Sequence, residues 1–189
     1  LKRFAPNGVV HFLMRSTAGV LSQDVESLMR MLVDSEMTQF VGTRHPVVFM
    51  QNVVTDLLLG LNLEKLLAGF DAYVRRQYRA EPGFITMNLP LLVDRLEAVG
   101  VSNPIVCSNI NKLGFRMSGG VDRYREILRE NRCRAIAMSV FASGAIPPKE
   151  AIDWVCNVDG VESILFGAST PAHIKESKEL IESAWGMNV

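Results

Sequence analysis

The sequence predicts an α/β fold on a parallel sheet, of the (β/α)8 TIM-barrel type and incomplete on its amino-terminal side. Three observations carry that expectation. The last third repeats one cycle: an apolar run at 133–141, a turn containing Ser143 and Gly144, a helical pattern at 149–157, then an apolar run at 161–166, the turn Gly167, Ala168, Ser169, Thr170, and a helix from Pro171 to about Trp185. Strand, polar turn and helix in repetition mark parallel strands joined by right-handed crossovers. The strand-like runs also hand small or polar residues to the turns that follow them. Finally, the 189 residues begin at Leu1 without a methionine, and a complete barrel takes roughly 250 residues. An amino-terminal piece is therefore expected to be missing.

The elements follow in order. Val9, Val10, Phe12, Leu13 and Met14 form a short apolar run with β-branched residues, read as a strand. Ser22 caps a helix with Asp24 and Glu26 in its first turn, where the helix dipole favours acids. Leu28, Met29, Leu32 and Val33 give it one apolar stripe, and its end is expected near Gly42. Residues 46–51 read as a strand. Residues 52–61 are ambiguous, because a short apolar run does not fix the period. Asn62 is a fair N-cap for a helix over 63–79, whose apolar face is Leu66, Leu67, Phe70, Tyr73 and Val74. Arg75, Arg76 and Arg79 crowd its last turn, as the dipole prefers.

Residues 83–88 read as a strand, 90–99 as a helix stopped by Gly100, and 104–108 as a strand. A polar loop over 109–120 leads to a helix at 121–130. The strands at 83–88, 104–108, 133–140 and 161–166 then count as the fifth to eighth of a barrel. One domain over 1–189 is expected, with strands five to eight and their helices at about 83–185 and the earlier elements in 1–82.

Composition narrows the function classes. Hydrophobic residues are 48% and charged residues 21%, ordinary for a globular chain. Lys plus Arg equals Asp plus Glu at 20 each, so nothing resembles a nucleic-acid footprint. No apolar stretch reaches the length of a membrane span, and no secretory signal is visible. The expected partner is a small molecule, free or phosphorylated, with neither nucleic acid nor membrane; Met29, Met31 and Met37 are compatible with a homo-oligomer, although a core role is the simpler account for them. Cys107, Cys133 and Cys156 are odd in number and widely spaced, which reads as free thiols in a reducing, cytoplasmic setting. No CxxC or HxxxH spacing exists, so no metal is expected.

Barrels place their chemistry at the carboxyl ends of the strands. There the chain carries Thr86 and Asn88; Ser108, Asn109, Asn111 and Lys112; Ser139, Ser143 and Gly144; and Gly167, Ala168, Ser169 and Thr170. In the last turn Ser169 or Thr170 can cap a helix whose first position is Pro171, leaving amides and hydroxyls for an anion. Barrels often bind phosphate after strands seven and eight. Lys112 closely follows the sixth strand, where a desolvated amine can attack a carbonyl. Asn109 and Asn111 can bond a substrate or close their own loop. Asp56 and His45 are conceivable acid–base groups.

The carboxyl half also resembles a known family. Tyr124, Arg125, Glu126, Ile127 and Leu128, followed by the run from Arg134 to Gly144, resemble the aldo-keto reductase segment that ends its seventh strand in a Ser-Pro-Leu-x-x-Gly turn. Ala151 to Val155 and Gly160 to Thr170 are similar to the next helix and the eighth strand. His173, Ile174, Lys175, Glu176 and Ser177 resemble the family's Arg-Ile-x-Glu-Asn stretch, which contacts the adenosine of NADP. Residues 83–88 match its Gly-x-Ser-Asn strand weakly. The resemblance spans about 83–182.

It implies a barrel fold, NADP(H) as cofactor and reduction of a carbonyl substrate. Ser139, Ser143, Gly144, Gly167, Ala168, Ser169, Thr170 and Lys175 would lie against the cofactor. The chain departs from the pattern at several places. The cofactor-clamping arginine falls on His173, the adenine-binding asparagine on Ser177, and Ser-Pro reads Ser139-Val140. The nicotinamide-stacking tyrosine is lacking, with Ile110 nearby. The family's catalytic Asp, Tyr, Lys and His find no placement in 1–82. Two alternatives stand beside the reductase: a Schiff-base lyase of the class I aldolase type using Lys112, with Asn109 and Asn111 as substrate ligands, and a non-catalytic barrel or fragment.

Overall fold

The computed structural model describes residues 22–186, so the strand expected at 9–14 lies outside the described residues. The chain divides into two compact units, 1–45 and 46–189. In the first, helix α1 (Ser22–Met37) is followed by a 3-10 turn (Thr38–Phe40). The regular helix therefore stops five residues before Gly42, which takes a φ of 83°. Arg30 and Glu26 pair at 2.5 Å across one turn of α1.

The second unit alternates strands and helices. It runs β1 (Val47–Met50), α2 (Asn52–Gly60), α3 (Glu64–Tyr78), β2 (Glu81–Thr86), α4 (Leu89–Ala98), β3 (Ile105–Asn109), α5 (Gly120–Arg129), β4 (Arg134–Met138), a 3-10 turn (Ala142–Gly144), α6 (Pro148–Cys156), β5 (Val161–Ile164) and α7 (Pro171–Gly186). The five strands form one sheet in the order β1-β2-β3-β4-β5, and every pairing is parallel. A doubly wound sheet reverses its strand order partway and covers both faces with helices. A sequential order without reversal, with right-handed crossovers, places the connecting helices on one face.

Side-chain alternation separates the two faces. Phe84 is fully buried and meets Phe70 of α3 edge-on, with ring centroids 5.7 Å apart. Its neighbours in register, Met50 and Val106, share that helix-covered face. Leu67, Phe70 and Val74 of α3, Leu92 and Leu96 of α4, Tyr124, Ile127 and Leu128 of α5, and Ile152 and Val155 of α6 form the buried layer against it. The opposite face carries Phe49, Gly83, Ile105 and Arg134 in one register row, and Ile85, Cys107 and Ile136 in the next. A β-carbon at Gly83 would overlap the Phe49 ring, so this glycine is the space into which the ring fits.

Local signals account for most boundaries. Asn88 caps α4 by accepting from the Leu91 amide at 3.3 Å, and Pro90 fits its first turn. Gly100 follows α4 at a φ of 84°. Residues 52–61, ambiguous from sequence, form α2 because their apolar side chains are needed on one side only: Leu58 and Leu59 are buried while Val53 and Val54 are exposed. Asn62 is not the N-cap of α3. Leu63 occupies that place, and Asn62 takes a φ of 53° with its amide oxygen accepting from Arg95 at 3.1 Å.

Candidate functional site

Because every strand of the second unit is parallel, its connecting turns after β1, β2, β3, β4 and β5 gather along one edge of the sheet. Asp56 in α2 anchors the turn after β2. The Thr86 hydroxyl donates to Asp56 Oδ1 at 2.5 Å, and the Met87 amide donates to Oδ2 at 3.1 Å. The same Thr86 oxygen accepts from the Asn88 amide at 2.9 Å. Tyr124, fully buried in α5, donates its hydroxyl to the Met87 carbonyl at 2.8 Å and accepts from the Leu89 amide at 3.1 Å. Ser108 donates to the Thr86 carbonyl at 2.8 Å. Burial pushes the Tyr124 phenol above its ordinary value. These groups tie the 86–89 turn to α2, β3 and α5, and both carboxylate oxygens of Asp56 are already engaged.

The residues expected to act on substrate after β3 have other work. Asn109 and Asn111 are buried. The Asn109 amide donates to the Arg116 carbonyl at 3.0 Å. Asn111 donates to the Phe115 carbonyl at 2.9 Å and accepts from the Phe115 amide at 2.8 Å. Both therefore close the 109–120 loop, the second of the two roles open to them from sequence. Lys112 is half exposed and its ammonium lies 2.8 Å from Glu150 Oε1. A Schiff-base nucleophile needs desolvation or a neighbouring positive charge to lose its proton. Lys112 has water and a carboxylate instead.

The turn after β4 concentrates unusual backbone. Ser139, Ala142 and Ser143 take φ values of 53°, 47° and 59°, and Gly144 follows at 88°. Three non-glycine residues in the left-handed region within five positions is a costly arrangement, of the kind found at ligand clamps. The turn's own carbonyls take several of its amides: Ala142 N–H donates to Ser139, Gly144 N–H and Ile146 N–H to Phe141, and Ala145 N–H to Ala142. Ser139 and Ser143 are both exposed.

After β5, Gly167, Ala168, Ser169 and Thr170 are all exposed. Thr170 rather than Ser169 caps α7, its hydroxyl accepting from the His173 amide at 3.2 Å. Lys175, on the second turn of α7, is exposed and loosely paired with Glu179 at 3.7 Å. Ser177, where the resemblance puts an adenine ligand, is buried instead.

Cys107 and Cys133 are buried, and burial pushes their thiols up to about 11 and about 12 respectively. Cys156 is half-buried, with its thiol also raised by burial. Among the described residues, no group of three or more His, Cys, Asp or Glu side chains is placed to hold a metal ion, and no helix is long and apolar enough to cross a membrane. The features that sequence reasoning missed are the partners of Asp56, 30 and 31 residues away along the chain, and those of Tyr124, 35 and 37 residues away. No protein-family model matches this chain, and no curated protein is significantly similar to it.

Proposed function

We propose that residues 46–186 are consecutive βα units of a (β/α)8-type barrel, and that the protein reduces a carbonyl substrate with NAD(P)H bound along the carboxyl ends of β4 and β5. The sequential strand order supports the barrel reading, because right-handed crossovers between successive neighbours generate a barrel wall.

One observation carries the cofactor reading. The left-handed turn at Ser139, Ala142, Ser143 and Gly144 follows β4, and the exposed run Gly167 to Thr170 that opens α7 follows β5, the strand hydrogen-bonded to β4. Hydroxyls of Ser139 and Ser143 and the start of α7 offer donors to a pyrophosphate. Lys175, held only by a long exposed ion pair, is free to turn toward a ribose phosphate. The nucleotide would supply the hydride. The chain's own residues would orient it and leave the mouth of the strands open for the carbonyl compound.

The lyase reading has less support, because Lys112 is paired and solvated. Titration of NADPH, followed by its own fluorescence, tests the proposal. Saturable enhancement that weakens in Lys175→Ala is expected. No binding at millimolar cofactor would remove the reading.

A further inference from the structure

A second feature lies in the helix layer, and none of the residues of the two strand-end turns lines it. It is a groove between α5 and α6, open to solvent, with a volume of about 600 Å³. Small-molecule sites commonly fall in that size range. Arg125 lines it from α5, Lys149, Glu150, Asp153 and Trp154 from α6, and Lys112 from the loop after β3.

Its charges do not balance. Lys112 pairs with Glu150 at 2.8 Å, and Lys149 with Asp153 at 2.6 Å. Arg125 is left over: among the described residues it makes no hydrogen bond or ion pair, although its side chain is half-buried. The contrast with its own helix is direct. Arg123 pairs with Glu126 at 2.5 Å and Arg129 with Asp159 at 3.4 Å. The groove thus carries one unmatched positive charge on a planar, five-donor group, and the half-buried indole of Trp154 is part of the same lining.

We propose that this groove binds a small planar aromatic oxyanion, with Arg125 taking the oxyanion and Trp154 lying against the ring. A guanidinium fork matches the two oxygens of a carboxylate or the oxygens of a phosphate, and it forms shorter, stronger hydrogen bonds with them than with neutral acceptors. An aromatic face beside it offers stacking area to a ring. Both carboxylates of the groove, Glu150 and Asp153, are paired with lysines, which offsets their repulsion of an incoming anion.

The test follows the two indole N–H resonances in proton–nitrogen spectra of the full chain, assigned with Trp154→Phe. Trp185, on α7, serves as the internal control. Benzoate and phenyl phosphate are the probes that separate the two oxyanions; benzyl alcohol and acetate remove the charge and the ring in turn. Saturable movement of the Trp154 resonance with benzoate or phenyl phosphate, and weaker effects of both controls, is expected. Arg125→Gln should weaken binding about tenfold or more, and Arg125→Lys should restore only part of it, because a lysine keeps the charge and loses the fork. An unmoved Trp185 resonance in each variant reports an intact fold. Absence of saturable movement with both probes, or equal affinity in Arg125→Gln, would overturn the proposal.

Discussion

The Thr86 hydroxyl donates to the Asp56 carboxylate at 2.5 Å, joining the helix after β1 to the carboxyl end of β2. The second carboxylate oxygen takes the Met87 amide at 3.1 Å. One side chain thereby fixes the turn that also receives Tyr124 and Ser108.

Asp56→Ala removes both acceptors and leaves a buried hydroxyl and a backbone amide to be satisfied by water. Hydrogen bonds to charged groups contribute about 1.5–3 kcal/mol each, and losses at one residue are not additive. A destabilisation of about 2–3 kcal/mol is expected in urea unfolding. Asp56→Asn keeps one good acceptor and should lose less.

Tyr124→Phe deletes the hydroxyl that bridges the Met87 carbonyl and the Leu89 amide. The cost is the desolvation of groups left unpaired in a buried place, about 1–3 kcal/mol. Equilibrium unfolding measures it. A change within a few tenths would mean that water enters and replaces the phenol.

Gly83→Ala places a methyl group into the Phe49 ring on the face opposite the helices. Overpacking of this kind costs about 1–3 kcal/mol. Combining it with Phe49→Leu should recover part of that loss, because the smaller side chain vacates the collision. Additive losses in the double variant would show that the two positions do not touch.

The cysteines give a pH dependence with a definite sign. A thiol whose folded pKa lies above its unfolded value holds its proton more tightly in the fold. That stability is complete below about pH 9 and is lost as pH rises from 9.0 toward about 11 for Cys107 and about 12 for Cys133. Urea midpoints should fall through this window, and the fall should flatten in Cys107→Ala combined with Cys133→Ala. Under native conditions Cys156, the most accessible of the three, should react first with a disulfide reagent, and the other two only on unfolding.

Much of the second unit was legible in the sequence. The strands at 83–88, 104–108, 133–140 and 161–166 correspond to β2, β3, β4 and β5, displaced by a few residues at the ends. Three of them pair a compact apolar run with a glycine or proline boundary (Pro82 and Gly83, Pro104, Gly160 and Gly167), and the run at 133–140 is legible from its apolar content alone. Asn62 misled because its preference for turns was real, yet it is spent on a left-handed φ and a bond to Arg95 rather than on a cap. Asn109 and Asn111 could not be resolved from sequence, since loop closure and ligand binding call for the same amide. Asp56 carried no local signal at all; its partners are Thr86 and Met87, and only the parallel register of β1 and β2 brings them together. Lys112 looked reactive by position, and its neutralisation by Glu150, thirty-eight residues on, was invisible.

The cofactor reading is tested most directly by mapping NADPH-induced shifts of backbone amide resonances across the chain. The account expects the largest changes at Ser139, Ser143 and Gly144 and from Gly167 to Thr170, with smaller ones around Lys175. Saturating NADPH that leaves these resonances in place, or moves only residues away from the carboxyl ends of β4 and β5, would contradict it.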